Sequence, residues 1–221
     1  MKKLIFDVDG TILDSMHIWI EPQNRLFSKY GFTLEDLTKE EKGFLESLDF
    51  IDWCEFVSKN IAKDMTKEQI QRYFDDILYD AYKNDLAPKN GAIDKLSKLK
   101  SQGYSMSIAS STPFHYLELA FKRLDILDLF DFFATPDLLK TKKSDSKFWK
   151  YSINNHKSDS RNCILFDDAL YALKAARTEG ITTIGIKDFP YNESEWSFIK
   201  DVADYTLDTI SDFNTQIYNI K

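Results

Sequence analysis

The chain has 221 residues, 43% hydrophobic, 29% charged and 14% aromatic, which is enough apolar material for a buried core and excludes disordered and low-complexity classes. Its 29 basic and 36 acidic residues leave a formal net charge of −7, so no global field favours nucleic acid or an anionic membrane, and neither partner is expected. This length predicts one large domain or one domain carrying a smaller insertion.

The first predicted strand is residues 4–8. Asp7 and Asp9 interrupt this opening apolar run well short of a secretory leader. No later segment approaches the roughly 18 uninterrupted apolar residues of a membrane helix. A soluble, cytoplasmic protein is expected. Residues 16–84 then show helical patterns without a convincing strand, clearest in Ile70, Tyr73, Phe74, Ile77, Leu78, Ala81 and Tyr82. Pro22 predicts a kink or a start in the first of these helices. The interval is too long for a single crossover helix and reads as an inserted helical bundle.

Further strands are predicted at 104–109, 130–134, 163–166 and 181–186, without the polar alternation of a half-exposed sheet. Helical spacing lies between them: Ile93, Leu96 and Leu99 before Gly103; Phe148, Trp149, Ser152 and Ile153; Ala169, Ala172, Leu173 and Ala176 before Gly180. Strand–helix alternation of this kind builds a parallel α/β sheet with right-handed crossovers.

Four signals carry chemistry. The run Phe6-Asp7-Val8-Asp9-Gly10-Thr11 ends a strand, where an open α/β sheet delivers side chains to the crevice at its carboxyl edge. Two carboxylates held about 4 Å apart repel by roughly 4 kcal/mol at an effective dielectric near 20, so a proton or a cation must offset them. The alternative is a plain Asp-Gly turn. Asp167 and Asp168 end the strand at 163–166, where one acid can cap the following helix. If the two strands are neighbours, three or four carboxylates converge, a set suited to a hard divalent cation such as Mg2+. Ser110, Ser111 and Thr112 end another strand, where Ser110 with the backbone amides after it either holds a phosphoryl oxygen or caps the helix near 114–124. Lys140, Lys142 and Lys143 precede the helix around Phe148, and lysines there are usually solvated.

Together Asp7-x-Asp9-Gly10-Thr11, Ser110, Lys143 and Asp167-Asp168, each beside a strand end, resemble the haloacid dehalogenase superfamily of phosphohydrolases, in its branch with phosphoglycolate phosphatase and β-phosphoglucomutase. The resemblance spans residues 4 to about 186 and implies a Rossmann-like core, residues 1–15 and 86–221, with an α-helical cap inserted at 16–85. It also implies roles. Asp7 would be the nucleophile that forms an aspartyl-phosphate, and Asp9 the acid that protonates the leaving group and then the base that activates water. Ser110, Ser111, Lys143, Gly10 and Thr11 would bind the phosphate. Mg2+ would sit on Asp7, Asp168 and the Asp9 carbonyl, with Asp167 beside them. The sequence departs from the family pattern in Lys142-Lys143-Ser144-Asp145, where Gly-Lys-Pro is common, and in Ala169 after the acidic pair, where Gly is common.

The expected activity is a Mg2+-dependent phosphatase for a small phosphorylated metabolite, a sugar phosphate or a phosphoglycolate-like compound. A phosphosugar mutase would use the same residues. A receiver-type phospho-signalling module fits less well, because its acceptor aspartate comes from the third strand. A catalytically silent binding protein is the remaining alternative. Cys54 and Cys163 make no disulfide framework, and a reduced, buried Cys163 is expected. His17 and Trp19 are read as hinge or cap-core residues, and His115 and His156 as surface residues. Phe189, Tyr191, Trp196 and Phe198 are read as mostly covering an edge of the core, and Arg25, Lys42 and Lys59 as candidate readers of the substrate's distal group. A monomer is expected.

Overall fold

Six strands, β1 (Lys3–Phe6), β2 (Ser105–Ala109), β3 (Phe132–Ala134), β4 (Cys163–Asp167), β5 (Thr182–Ile186) and β6 (Tyr205–Leu207), form one parallel sheet in the order β3-β2-β1-β4-β5-β6. A computed structural model describes residues 1–214. The last seven residues of the expected core, 215–221, lie outside the described residues. Leu4 and Phe6 face the same way as Ile108, Ile164 and Phe166, while Ile5 faces the other way with Cys163 and Leu165. Both faces are covered, which is why the strands read as continuous apolar runs. Phe6 and Phe166 stack across the β1–β4 pair with centroids 4.7 Å apart. The sixth strand was not predicted. It is three residues long at the sheet edge, and Tyr205 is exposed, so it carries no periodic signal.

Helices α1 (Met16–Lys29), α2 (Lys39–Glu46), α3 (Phe50–Asn60) and α4 (Lys67–Asp80) all lie between β1 and β2. Their starts are written locally. Thr38 and Glu41 make a reciprocal cap on α2, Thr66 and Gln69 one on α4, and the Asp49 carboxylate accepts from the Asp52 amide on α3. The stripe Ile70, Phe74 and Leu78 on α4 is buried, with Phe74 edge-on to Phe50 and Trp53. α1 starts at Met16 and runs through Pro22, which neither begins it nor ends it. A π-helical turn, Ala81–Asp85, closes the insertion. The two connections then run side by side: the Asp14 amide donates to the Ala87 carbonyl at 3.0 Å, and the Lys89 amide donates to the Ile12 carbonyl at 2.8 Å.

After β1 and its insertion come α5 (Ala92–Ser101), α6 (Phe114–Arg123), α7 (Pro136–Leu139), α8 (Ser146–Asn155), α9 (Leu170–Thr178) and α10 (Trp196–Val202), which cover the sheet. Two expectations are corrected here. His156, after α8, is buried against β2, with its ring nitrogens 3.0 Å from Ser105 Oγ and 2.8 Å from Ser107 Oγ. Hydroxyls on the strand make a polar niche that a periodicity argument does not see. Of the late aromatics only Trp196 packs on the core; Phe189, Tyr191 and Phe198 stay 42%, 37% and 44% exposed. Both Cys54 and Cys163 are buried free thiols. Among the described residues no helix is long and apolar enough to cross a membrane.

Candidate active site

Strand order reverses between β1 and β4, and an open parallel sheet has its ligand crevice at the carboxyl ends of such neighbours. Register places Phe6 opposite Phe166, so Asp7, one residue beyond β1, meets Asp167 at the end of β4. Asp7, Asp167 and Asp168 are buried, and each offers a carboxylate oxygen such that all lie within 4.8 Å of one another. The Lys143 ammonium, 2% exposed, stands between two of them, 2.5 Å from Asp7 Oδ1 and 2.7 Å from Asp167 Oδ2. Of the three lysines in that loop the structure brings only Lys143 to the acids: Lys142 pairs with Asp52 of α3, and Lys140 is exposed.

Burial pushes the Asp7 carboxyl well above the usual carboxylate range. Lys143 opposes this, and repulsion from Asp167, Asp168 and Asp9 adds to it. Asp168 is also driven well up, by burial and then by Asp167 and Asp188. Lys143 is a held cation: burial disfavours its charge, but Asp167 and Asp7 together raise its pKa. Three buried oxygen donors short of positive charge fit a hard divalent cation.

The turn after Asp7 is built to fit these acids. Thr11 Oγ1 donates to Asp168 Oδ1 at 3.1 Å. Gly10 has φ +83, and a Cβ there would meet Asp168 Oδ2 at 2.5 Å and Asp188 Oδ2 at 2.8 Å, so glycine is required twice over. The Gly10 and Thr11 amides are engaged inside the turn, on the carbonyls of Leu13 and Val8. Ser110 Oγ accepts from the Thr112 amide at 3.1 Å, and Ser111 Oγ is 2.8 Å from Tyr171 OH. These hydroxyls do not cap α6, whose Phe114 amide donates to Asp137. The Asp167 Oδ1 does accept from the Ala169 amide ahead of α9, so it serves both turn and cluster.

Asp9 faces elsewhere. Its Oδ1 accepts from Ser15 Oγ at 2.6 Å and from Tyr82 OH, and its Oδ2 accepts from Thr112 Oγ1 at 2.7 Å. Tyr82 OH in turn accepts from Trp19 Nε1 at 3.2 Å. Ser15, Tyr82, Thr112, Tyr171 and Asp188 were not among the predicted site residues. Asp188 follows β5 and obeys the same strand-end rule as the predicted acids. Tyr82 carried no such signal, because it sits in an apolar stripe.

Two cavities open between the insertion and the core. One, about 580 Å3, is lined by Phe50, Asp75, Asp76, Tyr79, His115 and Asp137. The other, about 320 Å3, is lined by Asp49, Asp52, Ser111, Lys140 and Lys142 among others. Arg25, Lys42 and Lys59 line neither; Arg25 and Lys59 lie in surface pairs with Glu21 and Glu55.

The family model for haloacid dehalogenase-like hydrolases matches residues 4–186. Over 195 residues the chain is 25% identical to a phosphorylated carbohydrates phosphatase of Thermotoga maritima, covering 83% of this chain and 84% of that one. It is 23% identical to the β-phosphoglucomutase of Bacillus subtilis, covering 84% and 83%. The crystal structure of a HAD phosphatase from Thermococcus onnurineus superposes with a TM-score of 0.64 at 26% identity, over 100% of this chain and 99% of that one. With its acids gathered at the switch point of a parallel sheet, the chain belongs to the haloacid dehalogenase-like hydrolase family and stands among its phosphatases.

Proposed function

We propose that this enzyme is a Mg2+-dependent phosphatase that hydrolyses a small phosphorylated sugar through an aspartyl-phosphate on Asp7. The observation that carries this reading is the convergence of Asp7, Asp167 and Asp168 within 4.8 Å, with Lys143 against the first two. An Asp7 oxygen attacks phosphorus, and the bond from phosphorus to the leaving sugar oxygen breaks. Asp9 gives that oxygen a proton, then takes one from the water that hydrolyses the acyl phosphate and frees inorganic phosphate. Asp7, Asp167, Asp168 and the Asp9 carbonyl would hold a divalent cation, which would supply the positive charge that lets an anionic phosphate approach an anionic nucleophile. Lys143 balances charge on Asp7, and Ser110 and Ser111 take phosphoryl oxygens. Three hydroxyls fix the direction of the Asp9 carboxylate.

Residues 16–85 act as a cap on the core formed by 1–15 and the chain from 86 onward. The cleft beneath it supports a sugar over a phosphoglycolate-like compound. Its lining mixes the carboxylates of Asp49, Asp75, Asp76 and Asp137 with the ammonium groups of Lys140 and Lys142, so it offers both acceptors and donors to sugar hydroxyls, and Phe50 and Tyr79 offer ring faces. Two buried free thiols suit a reducing cytoplasm, and the enzyme is read as a monomer there.

A panel of sugar monophosphates, phosphoglycolate and p-nitrophenyl phosphate, assayed for released phosphate, tests the proposal. Turnover is expected with Mg2+, should disappear with a chelator, and should be absent in Asp7→Asn. Wild-type turnover by Asp7→Asn protein would overturn it. The relative from Bacillus subtilis favours one second reading, transfer to a sugar hydroxyl by the same residues. A hexose 1-phosphate incubated with a hexose bisphosphate and followed by phosphorus NMR separates isomerised product from free phosphate.

A further inference from the structure

Asp188, just beyond β5, is 3% exposed, and its two oxygens have unequal surroundings. Oδ1 accepts from the Lys89 ammonium, which comes from the connection that returns from the insertion. Oδ2 is buried and has no hydrogen-bond partner. A buried carboxylate oxygen without a donor is costly, because it has given up water and gained no partner. Its direction is informative. Asp188 Oδ2 and Asp168 Oδ2 flank the same point, the empty Cβ position of Gly10. The surrounding loop is tied to the same acid: Asn192 Nδ2 donates to the Asp168 carbonyl at 3.0 Å, and its Oδ1 accepts from the Asp188 amide at 2.9 Å. Four buried carboxylates, Asp7, Asp167, Asp168 and Asp188, therefore face two ammonium groups, Lys143 and Lys89.

We propose that Asp188 is part of the cation site, as a positioning residue: its Oδ2 accepts a hydrogen bond from water carried by the cation that Asp7, Asp167 and Asp168 hold. It lies outside the group of three whose oxygens fall within ligand distance of one another, so it acts through water. Mg2+ keeps several waters when bound by carboxylates, and groups that hold such waters govern affinity. Lys89 balances part of the charge of Asp188, whose loop is held in place by the Asn192 side chain. The inference rests on the divalent-cation reading above.

Mn2+ binding to the full chain without substrate, read from the free-ion EPR signal, with Mg2+ as competitor, tests it independently of turnover. Asp188→Asn should raise the Kd about ten-fold or more. Lys89→Met, which removes only the counter-charge, should tighten binding. A wild-type Kd in D188N overturns the inference, as does equal weakening in both variants, which would mark the pair as a loop clamp. If D188N does not fold, K89M decides: tighter binding supports the role, and equal or weaker binding overturns it. A wild-type chain that binds no Mn2+ or Mg2+ instead defeats the cation reading itself.

Discussion

The hydroxyl of Tyr82, on the π-helical turn that ends the insertion, donates to Asp9 Oδ1 in the loop after the first strand. Tyr82 is fully buried, stacked on Tyr116 of α6 at 5.7 Å, and its oxygen also receives the Trp19 indole. The insertion thus helps aim the carboxylate proposed to move the proton. Tyr82→Phe keeps the ring and its stacking but deletes the donor. It should lower kcat about ten-fold while KM changes little, since positioned proton transfer contributes roughly 10²–10⁴-fold. The loss should be larger for a sugar phosphate than for p-nitrophenyl phosphate, whose leaving group needs no proton. Equal kcat in both proteins would remove Tyr82 from this role.

Lys143 is the one ammonium in contact with both Asp7 and Asp167 among the described residues. Replacing it with Met leaves two buried carboxylates without their partner, a change expected to cost about 3–5 kcal/mol. Mg2+ should restore part of that loss, because the cation meets the same oxygens. Urea unfolding of wild type and Lys143→Met, with and without Mg2+, is the check. A variant as stable as wild type in a chelator would contradict the charge argument.

Gly10→Ala should both destabilise the fold and weaken cation binding. Its φ of +83 strains any side chain, and the new methyl would push against Asp168 and Asp188 at once. Backbone strain of this kind costs on the order of 1–3 kcal/mol, before any displacement of the acids. A fall in the unfolding midpoint together with a raised Mn2+ Kd is expected. A drop in stability with unchanged Mn2+ affinity would show that the acids are not crowded there.

His156 predicts a pH effect far from the site. Burial, and then the Lys3 charge, lower its pKa from 6.5 to about 4. Below pH 6.5 the unfolded chain takes up a proton that the folded chain refuses until about pH 4. The contribution is therefore fully present above pH 6.5 and lost as pH falls toward 4. Between pH 7 and 4.5 wild type should lose about 2–3 kcal/mol more stability than His156→Gln. Parallel losses in urea titrations of the two proteins would refute this.

The acids and the serines proposed for the site were legible because strand ends in an open parallel sheet share one edge, so a strand-end motif already implies a location. The alternation of strands and helices was legible for the same reason: faces buried on both sides leave unbroken apolar runs. The short edge strand at Tyr205, the burial of His156 and the exposure of Phe189 left no periodic mark. Which of Lys140, Lys142 and Lys143 meets the acids depends on how one loop brings its side chains to the end of β4, and adjacent lysines are chemically alike.

By itself the sequence determined that Asp7 and the Asp167-Asp168 pair end separate strands and that a helical insertion divides the first from the next, since composition, turn chemistry and spacing are local properties. Tertiary structure decided the rest. It set Asp7, Asp167 and Asp168 within 4.8 Å of one another, turned Asp9 onto three hydroxyls, and drew Tyr82 and Asp188 toward them. Pairing of β1 with β4 and the return of the insertion join residues far apart in the chain, and no local pattern encodes which distant partner a buried polar group will find.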